Sequence, residues 1–140
     1  MSESAERLPA GSDNSSGTAT ASDLETGSGL YAAISRAMVR LYKEQFGRGP
    51  LKAKTRFADP DTLLCTLEGS LTLAEKSLVE MGEDARLRDI RMFFQHASEA
   101  RFREAIEELT GRHVIAFVSG MDTGRDVSAE VFYLEPVPNG

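Results

Sequence analysis

From Leu30 onward the chain carries a helical rhythm. Leu30, Ile34, Met38, Leu41, Tyr42 and Phe46 recur at a spacing that sets them on one helix face. Ser28 is placed as N-cap, and Gly47 marks the stop. After Gly49 and Pro50 the period shortens to two. Leu51, Ala53, Thr55 and Phe57 alternate with Lys52, Lys54 and Arg56, which predicts a half-buried strand whose outer face is wholly basic. Asp59, Pro60 and Asp61 form a turn, and Leu63, Cys65 and Leu67 alternate in a second strand that returns as a hairpin.

Beyond Gly69, Thr72 and Glu75 stand at the spacing of a capping box, in which each side chain satisfies a backbone N–H of the other at a helix start. A short helix is expected from there to Gly82. A second start at Glu83 and Asp84 opens one long helix with Leu87, Ile90, Phe94, Ala97, Phe102, Ala105 and Leu109 on its inner face, ended by Gly111. Its outer side offers Asp84/Arg88, Glu99/Arg103 and Arg103/Glu107 as ion pairs one turn apart. His113–Ser119, "HVIAFVS", is continuously apolar and reads as a central strand covered on both faces. "GMDTGRDV" is expected as a loop, and Ala129–Glu135 as a last strand stopped by Pro136 and Pro138. The element order is α-β-β-α-α-β-β without internal repeat. It predicts a single α+β domain with a mostly antiparallel four-stranded sheet and helices packed on a face.

Composition changes the picture at the N-terminus. Met1–Gly29 is rich in Ser, Gly, Thr and Ala, has no aromatic residue, and carries five acidic residues against Arg7 alone. Such a segment buries too little apolar surface to offset its ordering entropy and is expected as a disordered tail. The domain is then residues 30–136, with 137–140 as a short C-terminal tail. The net charge is −6, of which the first 29 residues hold −4, so the folded part is nearly balanced. That excludes a general nucleic-acid binder, which relies on a positive field. The single cysteine, Cys65, allows no internal disulfide and fits a reducing cytoplasm. No apolar run approaches the roughly 20 residues a membrane span needs, so direct insertion is not expected.

Candidate chemistry is sparse. Cys65 sits between Leu63 and Leu67, which hides its sulfur, and His96 and His113 form neither a zinc pattern nor a triad. No catalytic residue, metal site or cofactor is expected. Arg48, just past Phe46, is first a cation closing the helix dipole. Lys52, Lys54 and Arg56 share one strand face and repel one another unless acid, an anion or solvent surrounds them. Either they guard a strand edge against sheet-to-sheet pairing or they meet an acidic partner or small anion.

The phrases "AMVRLYKEQFGRGPLKAKTRF", "LLCTLEGSLTLAEKSLVEMG", "RDIRMFFQHASEARFREAIEELTGRHVIAFVSG" and "EVFYLEP" together resemble the MpsC-like family. The resemblance implies a small soluble bacterial accessory or regulatory protein, associated with a sodium-linked membrane-potential-generating system tied to inorganic-carbon uptake. It implies a subunit of that membrane system as partner and supplies no catalytic residues. Within its phrases Arg48, Lys54, Glu68, Thr72, Glu75 and Arg91 are the candidates for anion or partner contact, beside Lys52 and Arg56. The competing expectation is a small-anion or nucleotide-binding domain, with catalysis conceivable, built on strand 51–57. A homodimer is expected from the charged helix and the basic sheet edge.

Overall fold

A computed structural model describes residues 27–138. The expected tail falls almost wholly outside that range, as do Asn139 and Gly140. Helix α1 spans Gly27–Phe46, followed by strands β1 (Lys52–Asp59) and β2 (Thr62–Glu68). Helices α2 (Leu73–Glu80), α3 (Asp84–Ala97) and α4 (Glu99–Thr110) come next, then strands β3 (Val114–Asp122) and β4 (Val127–Leu134). The four strands form one antiparallel sheet in the order β1-β2-β4-β3, so the two hairpins meet where β2 pairs with β4. This is the expected α+β architecture.

The core lies between the helices and one sheet face. Ile34, Met38, Leu41 and Tyr42 of α1 pack on Ala53, Leu63, Cys65 and Leu67, with Phe102 and Ile106 of α4 and Phe132 and Leu134 of β4 completing it. Phe102, Phe117 and Phe132 form a ladder of stacked rings with centroids 5.7 and 4.8 Å apart, within the range that favours aromatic pairs. Gly47 and Gly111 end α1 and α4 with φ of 84° and 71°, the left-handed backbone that glycine adopts without a Cβ clash. The capping box at α2 is complete: Thr72 N–H donates to Glu75 Oε1 at 2.9 Å and Glu75 N–H donates to Thr72 Oγ1 at 3.2 Å.

Several elements depart from their sequence patterns. α1 begins at Gly27, so Ser28 lies inside the helix and not at its cap. The expected long helix divides at Ser98, whose hydroxyl proton is shared between the Phe94 carbonyl at 2.8 Å and the side-chain oxygen of Gln45 on α1. A serine that bonds back to the preceding turn competes with the backbone ladder, and the break lets α3 and α4 turn different faces inward. α3 buries Leu87, Arg91 and Gln95, while Ile90, Phe93, Phe94 and Ala97 are exposed. Apart from Leu87, its expected apolar stripe faces out because Arg91 and Gln95 find partners inside. Leu109 of α4 is also exposed. Of the expected helix pairs, Glu99–Arg103 forms at 2.7 Å, whereas Glu107 turns instead to Val114 N–H at 2.9 Å and to His113 at 2.8 Å.

β3 is an edge strand, not the covered centre of the sheet, and it runs to Asp122 through the first three residues of the expected loop. Ile115 and Val118 are more than half exposed, because no helix covers the second face of the sheet. A bulge between Val114 and Ala116 interrupts its pairing with β4. Such irregularity blunts an edge that would otherwise template further pairing.

Candidate functional site

β1 is the other edge, and its alternation is as read. Ala53 and Thr55 are buried, Phe57 is half-buried, and Lys52, Lys54 and Arg56 project from the opposite face. Their Cα partners on β2 are Glu68, Thr66 and Leu64, so only Lys52 has an acid directly across. None of the three side chains takes part in an ion pair or side-chain hydrogen bond among the described residues. Alternate residues of a strand stand about 7 Å apart, so the row is a short line of unneutralised charge. Beside it the outer face turns apolar: Arg56, Leu64, Val131 and Val118 are successive neighbours across the sheet, and Tyr133 lies in the adjacent row. The surface is therefore a strip with a cationic border and an aliphatic middle.

The other candidates assemble elsewhere, around the link between β2 and α2. Arg91, 2% exposed, donates from Nε to Glu75 Oε2 at 2.9 Å and from Nη2 to Glu75 Oε1 at 2.7 Å. It also reaches Ser70 through its carbonyl at 3.1 Å and its hydroxyl at 3.3 Å, and lies over the Phe46 ring at 3.7 Å. Burial alone would raise the Glu75 pKa, but the Arg91 bonds and charge, with the Thr72 contacts, hold it below the ordinary value. Arg48 donates to the Leu71 carbonyl at 3.0 Å, so it braces this link and not the end of α1. Arg48, Thr72, Glu75 and Arg91 thus form one internal brace. Lys52, Lys54, Arg56 and Glu68 lie apart from it, on the strand row and its neighbour.

A second polar system runs through the core. Glu130 faces inward from β4 with no exposed surface. Its Oε2 accepts from Tyr42 Oη of α1 and from Gln95 Nε2 of α3 at 2.8 Å, while Oε1 has no partner. Burial pushes its carboxyl up to about 7, against the opposing effect of the bonds from Tyr42, Ser119 and Gln95. Burial, then the neighbouring Glu130 charge, raises Tyr42 well above its ordinary value. Gln95 continues to Gln45, and Ser35 Oγ meets Thr55 Oγ1 at 2.8 Å on the other side of Cys65. Burial raises the Cys65 thiol to about 12, which keeps it protonated and unreactive.

A family model described as "Na+-translocating membrane potential-generating system (MpsC)" matches residues 26–136. The chain belongs to the MpsC family. Searches of curated proteins and of solved structures returned no match. The MpsC match takes in every described helix and strand. Among the described residues, no helix is long and apolar enough to cross a membrane, and no group of three His, Cys, Asp or Glu side chains converges to hold a metal.

The clefts formed by the described residues of this MpsC domain include the following. One, of about 250 Å³, is lined by Met92, Gln95, His96, Glu99, Phe117 and Ser119. Another, of about 370 Å³, lies between α2 and the 123–126 turn. Lys52, Lys54 and Arg56 line neither. Two residues central to this fold carry little signal in the local sequence. Asp126, at φ 57°, accepts the N–H groups of Ser70 at 2.9 Å and Leu71 at 3.2 Å, clipping the β2–α2 link to the far hairpin. Glu130 was detectable only as a charge in register with Ser128, Phe132 and Leu134 on the inner face of its strand.

Proposed function

We propose that this protein is an accessory or regulatory component of a sodium-linked membrane-potential-generating system, acting by protein contact. In this reading the outer face of β1 docks on an acidic surface of a membrane subunit. The observation that carries it is the row of Lys52, Lys54 and Arg56 without partners among the described residues, bordering the uncovered apolar strip of Leu64, Val118, Val131 and Tyr133. Charge at the rim of an apolar patch steers encounter and sets orientation, while the apolar centre supplies the burial. Family membership supports the choice of partner.

The test is sedimentation of the full-length protein with vesicles that carry the sodium-translocating membrane subunits. Salt-sensitive binding, lost in the Lys52→Glu/Lys54→Glu/Arg56→Glu variant, is expected. Binding that ignores both salt and the three charges overturns the reading. A small-anion site is disfavoured because the basic row projects from an open, exposed strand face. Bicarbonate, phosphate and nucleotides are accordingly expected to give no saturable thermal stabilisation. The same reading includes a homodimer, supported by the outward Ile90, Phe93 and Phe94 of α3, the last two with rings 5.7 Å apart.

A further inference from the structure

We propose that the edge of β3 is the seam of the homodimer. A second copy adds its own β3 antiparallel about a two-fold axis at Ser119, and the two four-stranded sheets join into one. The inference rests on the homodimer reading above and gives that dimer its interface.

The ladder fixes which backbone groups are free. Leu134 N–H donates to the Asp61 carbonyl and Glu135 N–H to the His113 carbonyl, both at 2.8 Å, so successive residues of β4 turn to β2 and to β3. By that alternation Ala129, Val131 and Tyr133 bond to their partners Gly120, Val118 and Ala116. The N–H and C=O groups of Phe117, Ser119 and Met121 therefore point to the free edge, and these three residues keep partial exposure. The bulge between Val114 and Ala116 blunts only the start of the strand, and from Ala116 to Asp122 the register is unbroken. The cleft lined by Phe117 and Ser119 on one side and by Met92, His96 and Glu99 on the other keeps the helices off this part of the strand.

The unbroken stretch is self-complementary. Its midpoint is Ser119, so the two-fold sets Ser119 against its copy, Phe117 against Met121 of the second chain and Val118 against Gly120. Val118 is 54% exposed, and a Cβ on Gly120 would meet no atom within 4 Å, so each Val118 side chain fills the open space over the other copy's glycine. Phe117 gains a thioether beside its ring, a favourable contact. Val114–Met121 holds no charged residue, and Asp122 falls opposite Ala116, so no like charges meet. β1 offers no such seam. Pairing it with itself would gather Lys52, Lys54 and Arg56 of both copies on one face, and its Phe57 N–H is already taken by Tyr31 Oη at 3.2 Å. The basic rows stay free at the two far edges of the joined sheet. α3 packs against β3, so its Phe93 cluster lies in the helix layer over the same end of the sheet and adds to the contact.

Crosslinking of two full-length variants tests the seam and its register together. Val118→Cys and Gly120→Cys both keep the fold, since Val118 is exposed and Gly120 has room, and buried Cys65 stays out of the reaction. Across the seam positions 118 and 120 face each other with Cα atoms about 4.5 Å apart, within disulfide reach. Two copies of position 118 stand about 8 Å apart, beyond it. Under copper-phenanthroline oxidation the mixed variants should give roughly tenfold more covalent dimer than either variant alone. Light scattering should show wild type as a dimer and Val118→Lys as a monomer at the same concentration, with unchanged helical circular dichroism. A monomeric wild type removes the homodimer reading and the seam with it. A wild-type dimer whose mixed variants crosslink no better than the single ones, or whose Val118→Lys variant dissociates at the same dilution as wild type, overturns the β3 seam and leaves the α3 contact to hold the dimer.

Discussion

Glu130 is the residue with the most to lose from ionisation. Its folded carboxyl titrates near 7 against an ordinary 4.5, with burial as the first cause. Between those values the native state holds a proton that the unfolded chain has released. The resulting stabilisation is fully present below about 4.5 and is lost as pH rises through 7. Wild-type stability should therefore fall with rising pH across that window, by on the order of 3 kcal/mol from this group. Glu130→Gln should flatten the slope, as read by denaturant midpoints at several pH values; an unchanged slope refutes the assignment. Glu75 has the opposite sign. Its depressed value gives stability above the unfolded pKa that is lost on acidification. Because Arg91 is buried against it, Glu75→Gln leaves a charge in the core with reduced compensation and should cost about 3 kcal/mol in urea unfolding at neutral pH.

At the scale of elements, neutralising β1 by Lys52→Gln/Lys54→Gln/Arg56→Gln should change stability by no more than about 0.5 kcal/mol per site, because all three side chains are exposed. Calorimetry checks this, and a larger loss would show the row to be structural. The period-two alternation of β1 and β2 was legible because each strand has one face on the core. β3 departs from its sequence pattern for a related reason. A continuous apolar run looks the same whether both faces are covered or one is left bare, and Ile115 and Val118 are bare. In α3 the competing stripes Leu87/Ile90/Phe94 and Leu87/Arg91/Gln95 both have helical spacing. Hydropathy favours the first; the structure takes the second, since Glu75, Ser70 and Glu130 come from elements distant in sequence. The basic row could be read directly from the sequence. The Glu130 network could not, because it depends on which strand lies beneath which helix.

For the whole molecule, the outward aromatic pair of α3 argues for self-association. Phe93 is 68% exposed and neighbours Phe94 and Ile90 on the same helix. Exposed clusters of this kind mark contact surfaces more often than isolated apolar residues do. Phe93→Ser should lower the mass seen by light scattering at high micromolar concentration from dimer towards monomer, and should leave the helical circular dichroism unchanged. A wild-type protein already monomeric at that concentration disposes of the homodimer.

The capping box and the Arg91 ion pair also bear on how the chain comes apart. α2 buries none of its own side chains and is held at its start by Thr72, Glu75 and Arg91. A helix with no buried side chain of its own opens at far lower free energy than the sheet beneath it. Its amides should exchange with solvent well before those of β2 and β4, and a protease should make its first cut within the described domain near Met81–Glu83, at the exposed turn where Gly82, at φ 80°, ends the helix. The fragments would stay associated through the sheet, so the nicked protein should still elute as one species. Should the first cut fall within β2 or β4 instead, α2 is not the weak point of the fold.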